Sequence, residues 1–144
     1  MTSLDAYKDN RESEILSAGP LELVEILYQA AIQSINDARR HLQSGEIRER
    51  SNAISKASAI LNELAQSLNH EKGGVISQNL TELYDYMQRQ LLQANMEQIE
   101  PPLVETCKLL ETLLEGWQTC SRTTHSPAYS SRYDEEHVPI ACSF

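Results

Sequence analysis

The side chains best suited to chemistry are the 4 histidines, 3 cysteines and 21 acidic residues, so the first question is whether any are spaced to act together. A helical protein could build a di-iron carboxylate centre, which needs inward Glu residues on two helices and Glu-x-x-His pairs on two others. No Glu-x-x-His occurs. His41 and His70 fall near the ends of helical segments, and His125 and His137 fall in a polar C-terminal stretch, so ligands converge nowhere. Cys107, Cys120 and Cys142 have no CxxC spacing and no histidine placed to complete a zinc site, and they read as reduced thiols. The HEKGG run at residues 70–74 superficially resembles the phosphorylated histidine of phosphotransfer bundles. Such a histidine must project from mid-helix, whereas His70 abuts Gly73-Gly74, the strongest turn signal in the chain. With no Gly-rich phosphate loop and no nucleophile elbow, no catalytic, cofactor-binding or metal residue is expected, and the chain reads as a binding protein, not an enzyme.

Charge and hydropathy narrow the partners. With 12 basic against 21 acidic residues and a net charge of −9, the chain lacks the positive surface that phosphate backbones require, so nucleic acid is not an expected partner. The most apolar stretch, residues 21–35, is broken by Glu22, Glu25, Gln29 and Gln33, so no run approaches the ~20 apolar residues of a membrane span. The opening MTSLDAYKDN has no basic patch followed by an apolar core, so no secretory signal is expected and the expected location is the cytoplasm.

The elements that would position any surface are helices. Proline and glycine stand at punctuation points, Gly19-Pro20, Gly45, Gly73-Gly74 and Pro101-Pro102, with Gly116 the exception inside a segment. Between them lie four segments, expected as helices over about 20–44, 47–69, 74–96 and 101–120. Short connections between long helices force neighbours to run antiparallel, so the fold expected over 20–120 is an all-α, up-down-up-down four-helix bundle. Apolar residues recur at spacings of three and four in every segment. The stripes are Val24, Leu27, Ala31, Ile35, Ala38, Leu42; Ile54, Ala57, Leu61, Leu64, Leu68; Ile76, Leu80, Leu83, Tyr84, Met87, Leu91, Ala94; and Leu103, Cys107, Leu110, Leu114, Trp117. Residues 1–19 carry isolated apolar side chains and are expected to dock on the bundle as an extended segment. Residues 121–144 are rich in Ser, Thr and charge without period and are expected to form a disordered tail.

Some apolar residues exceed what the stripes need. Leu21, Tyr28 and Ile32 form a second edge on the first helix, and Ile47, Ile60 and Tyr86 lie off the stripes of the second and third. Either neighbouring elements cover them or a partner helix does.

One region is specific beyond its periodicity. EKGGVISQNLTELYDYMQRQLLQAN, residues 71–95, resembles the matching region of the FliS family of flagellar export chaperones. AGPLELVEILYQAAI (18–32) and AISKASAILNEL (53–64) resemble that family's first two helices, and the likeness continues to Trp117, covering about residues 4–120. Gly19 stands where the family usually has a capping Ser, and residues 121–144 extend past its usual end. The resemblance implies a cytoplasmic helical bundle that binds the disordered C-terminal segment of flagellin, prevents premature polymerisation and keeps the client competent for type III export. It implies no cofactor. Other implied partners are the flagellar export gate and, as an alternative client, an anti-sigma factor. On this reading Leu21, Tyr28, Ile32, Ile47, Ile60 and Tyr86 become candidate client contacts. Tyr7 resembles a tyrosine of the family's N-terminal segment that covers the apolar surface until the client arrives.

Overall fold

The structure, a computed structural model, describes the backbone of residues 20–125 and the side chains of residues 22–120. The described residues form four long helices and one single-turn helix: α1 (Pro20–Gln43), α2 (Ile47–Gln66), α3 (His70–Gly73), α4 (Val75–Glu97) and α5 (Pro101–His125). They contain no strand. None of the described helices is long and apolar enough to cross a membrane.

Local chemistry sets the boundaries. Pro20 and Glu22 suit the positive end of α1, and Arg40 and His41 suit its negative end. Gly45, at φ +72°, closes α1: its N–H donates to Leu42 O at 3.2 Å and the Glu46 N–H donates to His41 O at 2.9 Å. That pattern is a Schellman motif, and the positive φ favours glycine there. α2 ends at Gln66, three residues before the expected 69. The Asn69 side chain accepts from the Lys72 N–H at 3.1 Å and caps α3, an extra turn that breaker counting does not reveal. Gly74, at φ +50°, then admits the sharp bend into α4. Gln98 ends α4 in the left-handed conformation, with the Ile99 N–H donating to Ala94 O at 3.3 Å.

The expected tail boundary is corrected at its start. Residues 121–125 are helical and α5 runs to His125. Extending a formed helix costs far less than nucleating one, and no breaker follows Gly116 until Pro127, which disfavours helix at the residue before it.

The helices form a ring in which α1 packs on α2 and α5, and α4 packs on the same two from the opposite corner. Ala31, Ile35, Ala38, Ala57, Leu61, Leu64, Met87, Leu91, Ala94, Leu103 and Leu110 are buried between them. Val24, Leu27, Leu42, Leu68, Ile76, Leu83 and Leu114 pack on this core while partly exposed. Small residues on α1 and α2 allow close approach, and larger ones on α4 and α5 fill the opposite side. Two buried hydroxyls bond back to their own helices, Thr106 donating to Pro102 O at 2.8 Å and Ser34 to Ala30 O at 2.9 Å, while the buried Ser77 on α4 donates to Asn69 O at 3.1 Å.

Across the diagonal, the Tyr28 and Tyr84 hydroxyls hydrogen-bond at 2.5 Å, joining α1 to α4 through the core. This places Tyr28, 1% exposed, in the interior and not on the surface edge expected for it. Its spacing to Ala31, Ile35 and Ala38 is a heptad pattern of three, four and three, equal in quality to the Leu27 alternative. Burial raises the pKa of both hydroxyls, so each stays neutral.

Candidate functional site

Polar groups concentrate at the end of the bundle where α1 and α4 finish and α2 and α5 begin. Arg50 on α2 is 5% exposed, and its guanidinium bonds to neutral amide and carbonyl oxygens. Its Nε donates to Asn95 Oδ1 at 3.2 Å, while Nη1 reaches Gln98 Oε1 and Nη2 reaches Asn95 O, each at 3.5 Å. Ser51 Oγ donates to the same Asn95 Oδ1 at 3.1 Å. Further along the α2–α4 seam, Gln88 Nε2 donates to Ser58 O at 2.9 Å and Asn62 Oδ1 at 3.1 Å, and Ser58 Oγ donates to Gln88 Oε1. Between α1 and α5, Arg39 Nε donates to Glu100 Oε1 at 3.0 Å. No buried side-chain polar atom among the described residues is left unpaired. These networks tie α2 to α4 and α1 to α5 and so align the helices.

Among the described residues no cluster of His, Cys, Asp or Glu could hold a metal ion. Cys107 is a buried free thiol. Burial pushes its pKa up to about 11, with Glu111 adding to the effect, so it is a poor nucleophile near neutrality. Cys120 is disulfide-bonded, which corrects the expectation of reduced thiols; spacing along a chain does not report which sulfurs a fold brings together.

What the arrangement offers is apolar surface in three places. On outward faces, Ile47 is 59% exposed, Leu92 58%, Met96 72% and Val75 71%. Leu92 and Met96 are one turn apart on α4, and the Arg50–Asn95 bond sets the start of α2 beside the end of α4, bringing Ile47 to the same end. Along α5 runs an open groove with Pro101, Val104 and Leu109 between Glu100, Glu105 and Lys108. Tyr86, partly exposed on α4, donates its hydroxyl to Glu105 Oε1 at 2.6 Å, and that bond raises its pKa. At the opposite end of the bundle, a pocket of about 260 Å³ is walled by Tyr28, Ile76, Leu80, Leu113, Trp117 and Cys120.

The structure therefore separates the sequence candidates. Ile47 is exposed and Tyr86 lies beside the α5 groove. Ile32 and Ile60 are partly buried against the core. Ile32 shares a helical stripe with Glu25, Asn36 and Arg39, which bond to Gln118, Cys107 and Glu100 of α5, so the neighbouring helix covers it. Tyr28 is interior and meets only the wall of the end pocket. Leu21 belongs to α1, but its side chain is outside the described residues, as is all of Tyr7. Sequence reasoning passed over Leu92 and Met96, although both lie off the α4 stripe by a simple count of period. It also passed over Arg50, whose charge gives no sign of burial until Asn95 and Gln98 come within reach.

The sequence model of the family described as flagellar protein FliS matches residues 3–124. A flagellar secretion chaperone FliS of Salmonella typhimurium is 41% identical over 111 residues, covering 76% of this chain and 82% of the relative. FliSB of Pseudomonas aeruginosa, also named a flagellar secretion chaperone, is 32% identical over 110 residues, covering 76% and 87%. The Bacillus subtilis chaperone FliS is 26% identical over 137 residues, covering 95% and 96%. A match that spans the four long helices, together with relatives of this similarity over most of their own length, establishes that this chain belongs to the FliS family of flagellar secretion chaperones.

Proposed function

We propose that this chain is a cytoplasmic export chaperone whose client is flagellin, and that it holds the disordered C-terminal segment of that client on its apolar surface. The observation that carries the reading is the distribution of Ile47, Leu92, Met96 and the Val104–Leu109 groove around several faces of a family bundle. A segment that wraps a bundle can lay one apolar face on each patch in turn, gaining affinity by many small burials and folding as it binds. Sequestered in this way, the segment cannot pair with other flagellin subunits, and it stays extended enough to be handed to the export gate. Release needs only competition for the surface, without nucleotide, cofactor or catalysis.

Titration calorimetry of the full chain with a flagellin C-terminal peptide tests this. The expectation is saturable binding, weakened about tenfold or more by Leu92→Asp with Met96→Asp, since a tenfold loss corresponds to ~1.4 kcal/mol. Both positions are exposed, so the substitutions leave the core untouched. Absence of binding to that peptide would sink the flagellin assignment, and binding instead to an anti-sigma factor would turn the reading to a regulatory adaptor.

A further inference from the structure

We propose that the open groove along α5 seats a short amphipathic helix whose apolar stripe is edged by Lys or Arg. This names the chemistry of the partner for one face of the surface proposed above, and it rests on that reading only for the partner's identity.

The groove runs from Glu100 to Thr112, about 18 Å or three and a half turns of helix, and holds about 610 Å³ against about 260 Å³ in the end pocket. It therefore takes a row of side chains and not a single anchor. Within a helix the backbone N–H and C=O groups bond to one another, so α5 offers no edge on which an extended strand could pair. An occupant that brings its own backbone bonds, a helix, fits such a face.

Charge selects the kind of helix. Glu100 bonds to Arg39 of α1 and Glu105 to Tyr86 of α4, so a carboxylate stands on each edge of the strip that Pro101 and Val104 form. Val104, Lys108, Glu111 and Glu115 succeed one another at steps of three and four and so share one stripe, on which Glu111 and Glu115 are exposed. Lys108 is the basic side chain of the lining, and Arg89 of α4 stands near Tyr86 outside it. Among the described residues no ion pair involves Glu105, Glu111 or Glu115. Their negative potential has the sign of the whole chain, which carries a net charge of −9, and it attracts a helix with basic edges while repelling one with acidic edges.

The probes are two synthetic helical peptides of about 14 residues with the same leucine stripe, one edged by Lys and one by Glu. Titration calorimetry of the full chain at low salt is expected to show about tenfold tighter binding of the Lys-edged peptide, an advantage that shrinks as salt is raised. Glu105→Lys with Glu111→Lys should weaken that peptide about tenfold. Glu63→Lys with Glu71→Lys, the same change of charge on α2 and α3, should leave it within about twofold. All four positions are exposed. No binding of the Lys-edged peptide, equal affinity for the two peptides, or an equal loss in the two double variants overturns the proposal. Binding of the Glu-edged peptide alone, or a dimer of the full chain that excludes both peptides, gives the groove a different occupant and overturns it as well. Neither probe carries flagellin sequence, so a failure of the flagellin peptide to bind would strike the client assignment and leave this result standing.

Discussion

The two ends of the bundle are held by different physics. Where α1 and α4 finish, Schellman-type caps close both helices, and Arg39, Arg50, Ser51, Asn95 and Glu100 are bonded across the seams. Where α1 begins and α5 ends, Gln118 Nε2 donates to Glu25 Oε1 at 2.7 Å beside a concavity walled by the apolar side chains of Tyr28, Ile76, Leu80, Leu113 and Trp117. Hydrogen bonds fix direction, so the first end holds the register of the helices. Apolar packing is adaptable, so the second end holds its helices together without fixing their direction as closely. A chaperone that must hold and release a client gains from having both: one end that keeps the bundle the same shape, and one whose packing can adjust.

The largest effect expected on that contrast comes from Trp117→Ala at the apolar end. Trp117 is 6% exposed, and removing a buried indole beside an existing pocket should cost about 3–5 kcal/mol of stability, read by chemical denaturation. A cost below about 1 kcal/mol would mean that the apolar end contributes little to holding the bundle together. At the polar end, Asn95→Ala removes the acceptor shared by Arg50 and Ser51 and leaves a buried guanidinium short of partners. The expected loss is about 2–3 kcal/mol, with helix content unchanged by circular dichroism. Arg50→Met with Asn95→Leu should recover part of it, because an apolar pair needs no acceptor.

Between the ends lies the tyrosine pair, where the expected loss is smaller and its sign depends on what is left behind. Tyr84→Phe leaves the Tyr28 hydroxyl buried without its partner and should cost about 1–3 kcal/mol, whereas the double change to Phe should lie close to the original stability. Burial raises both pKa values above the ordinary 10.0, so the folded state keeps the hydroxyls protonated while the unfolded chain ionises. Their contribution is present in full below pH 10 and is lost as pH rises beyond it. The double Phe variant should therefore resist alkaline unfolding better than the original chain in a denaturant series above that pH.

Most of the interior was legible in the sequence, because a helix repeats every 3.6 residues and a buried stripe leaves that period behind. Ile35, Leu61, Met87, Leu91 and Leu110 follow directly from it. Tyr28 did not, since Leu27 satisfies the same spacing and the choice rests on a hydroxyl partner 56 residues away. The α3 turn was hidden for a related reason: Asn69 caps it through a contact that only the folded backbone defines. Ile32 looked surplus because the covering helix, α5, is distant in sequence. Binding surface is the least legible feature. Exposure at Leu92 and Met96 obeys no period of its own and is visible only as failure to join a stripe. The family, in contrast, was readable from the order and spacing of motifs around Gly73-Gly74 and Tyr84, and the match over residues 3–124 agrees with it.

The smallest effect separates two kinds of polar contact within the same end. Arg39 and Glu100 join α1 to the start of α5 at 3.0 Å, but their side chains are 34% and 35% exposed, so water already screens the pair. Their attraction competes with hydration that either group recovers on separation. Arg39→Gln keeps most of the stem and a donor, and it should change stability by less than about 1 kcal/mol, with the difference shrinking further in high salt. Asn95→Ala removes no charge at all and yet is expected to cost more, because the guanidinium it abandons is 5% exposed. The relevant variable is therefore burial of the group left behind, not formal charge on the group removed. A loss at Arg39 equal to that at Asn95 would break this ordering and make the polar end an electrostatic clamp that salt should loosen.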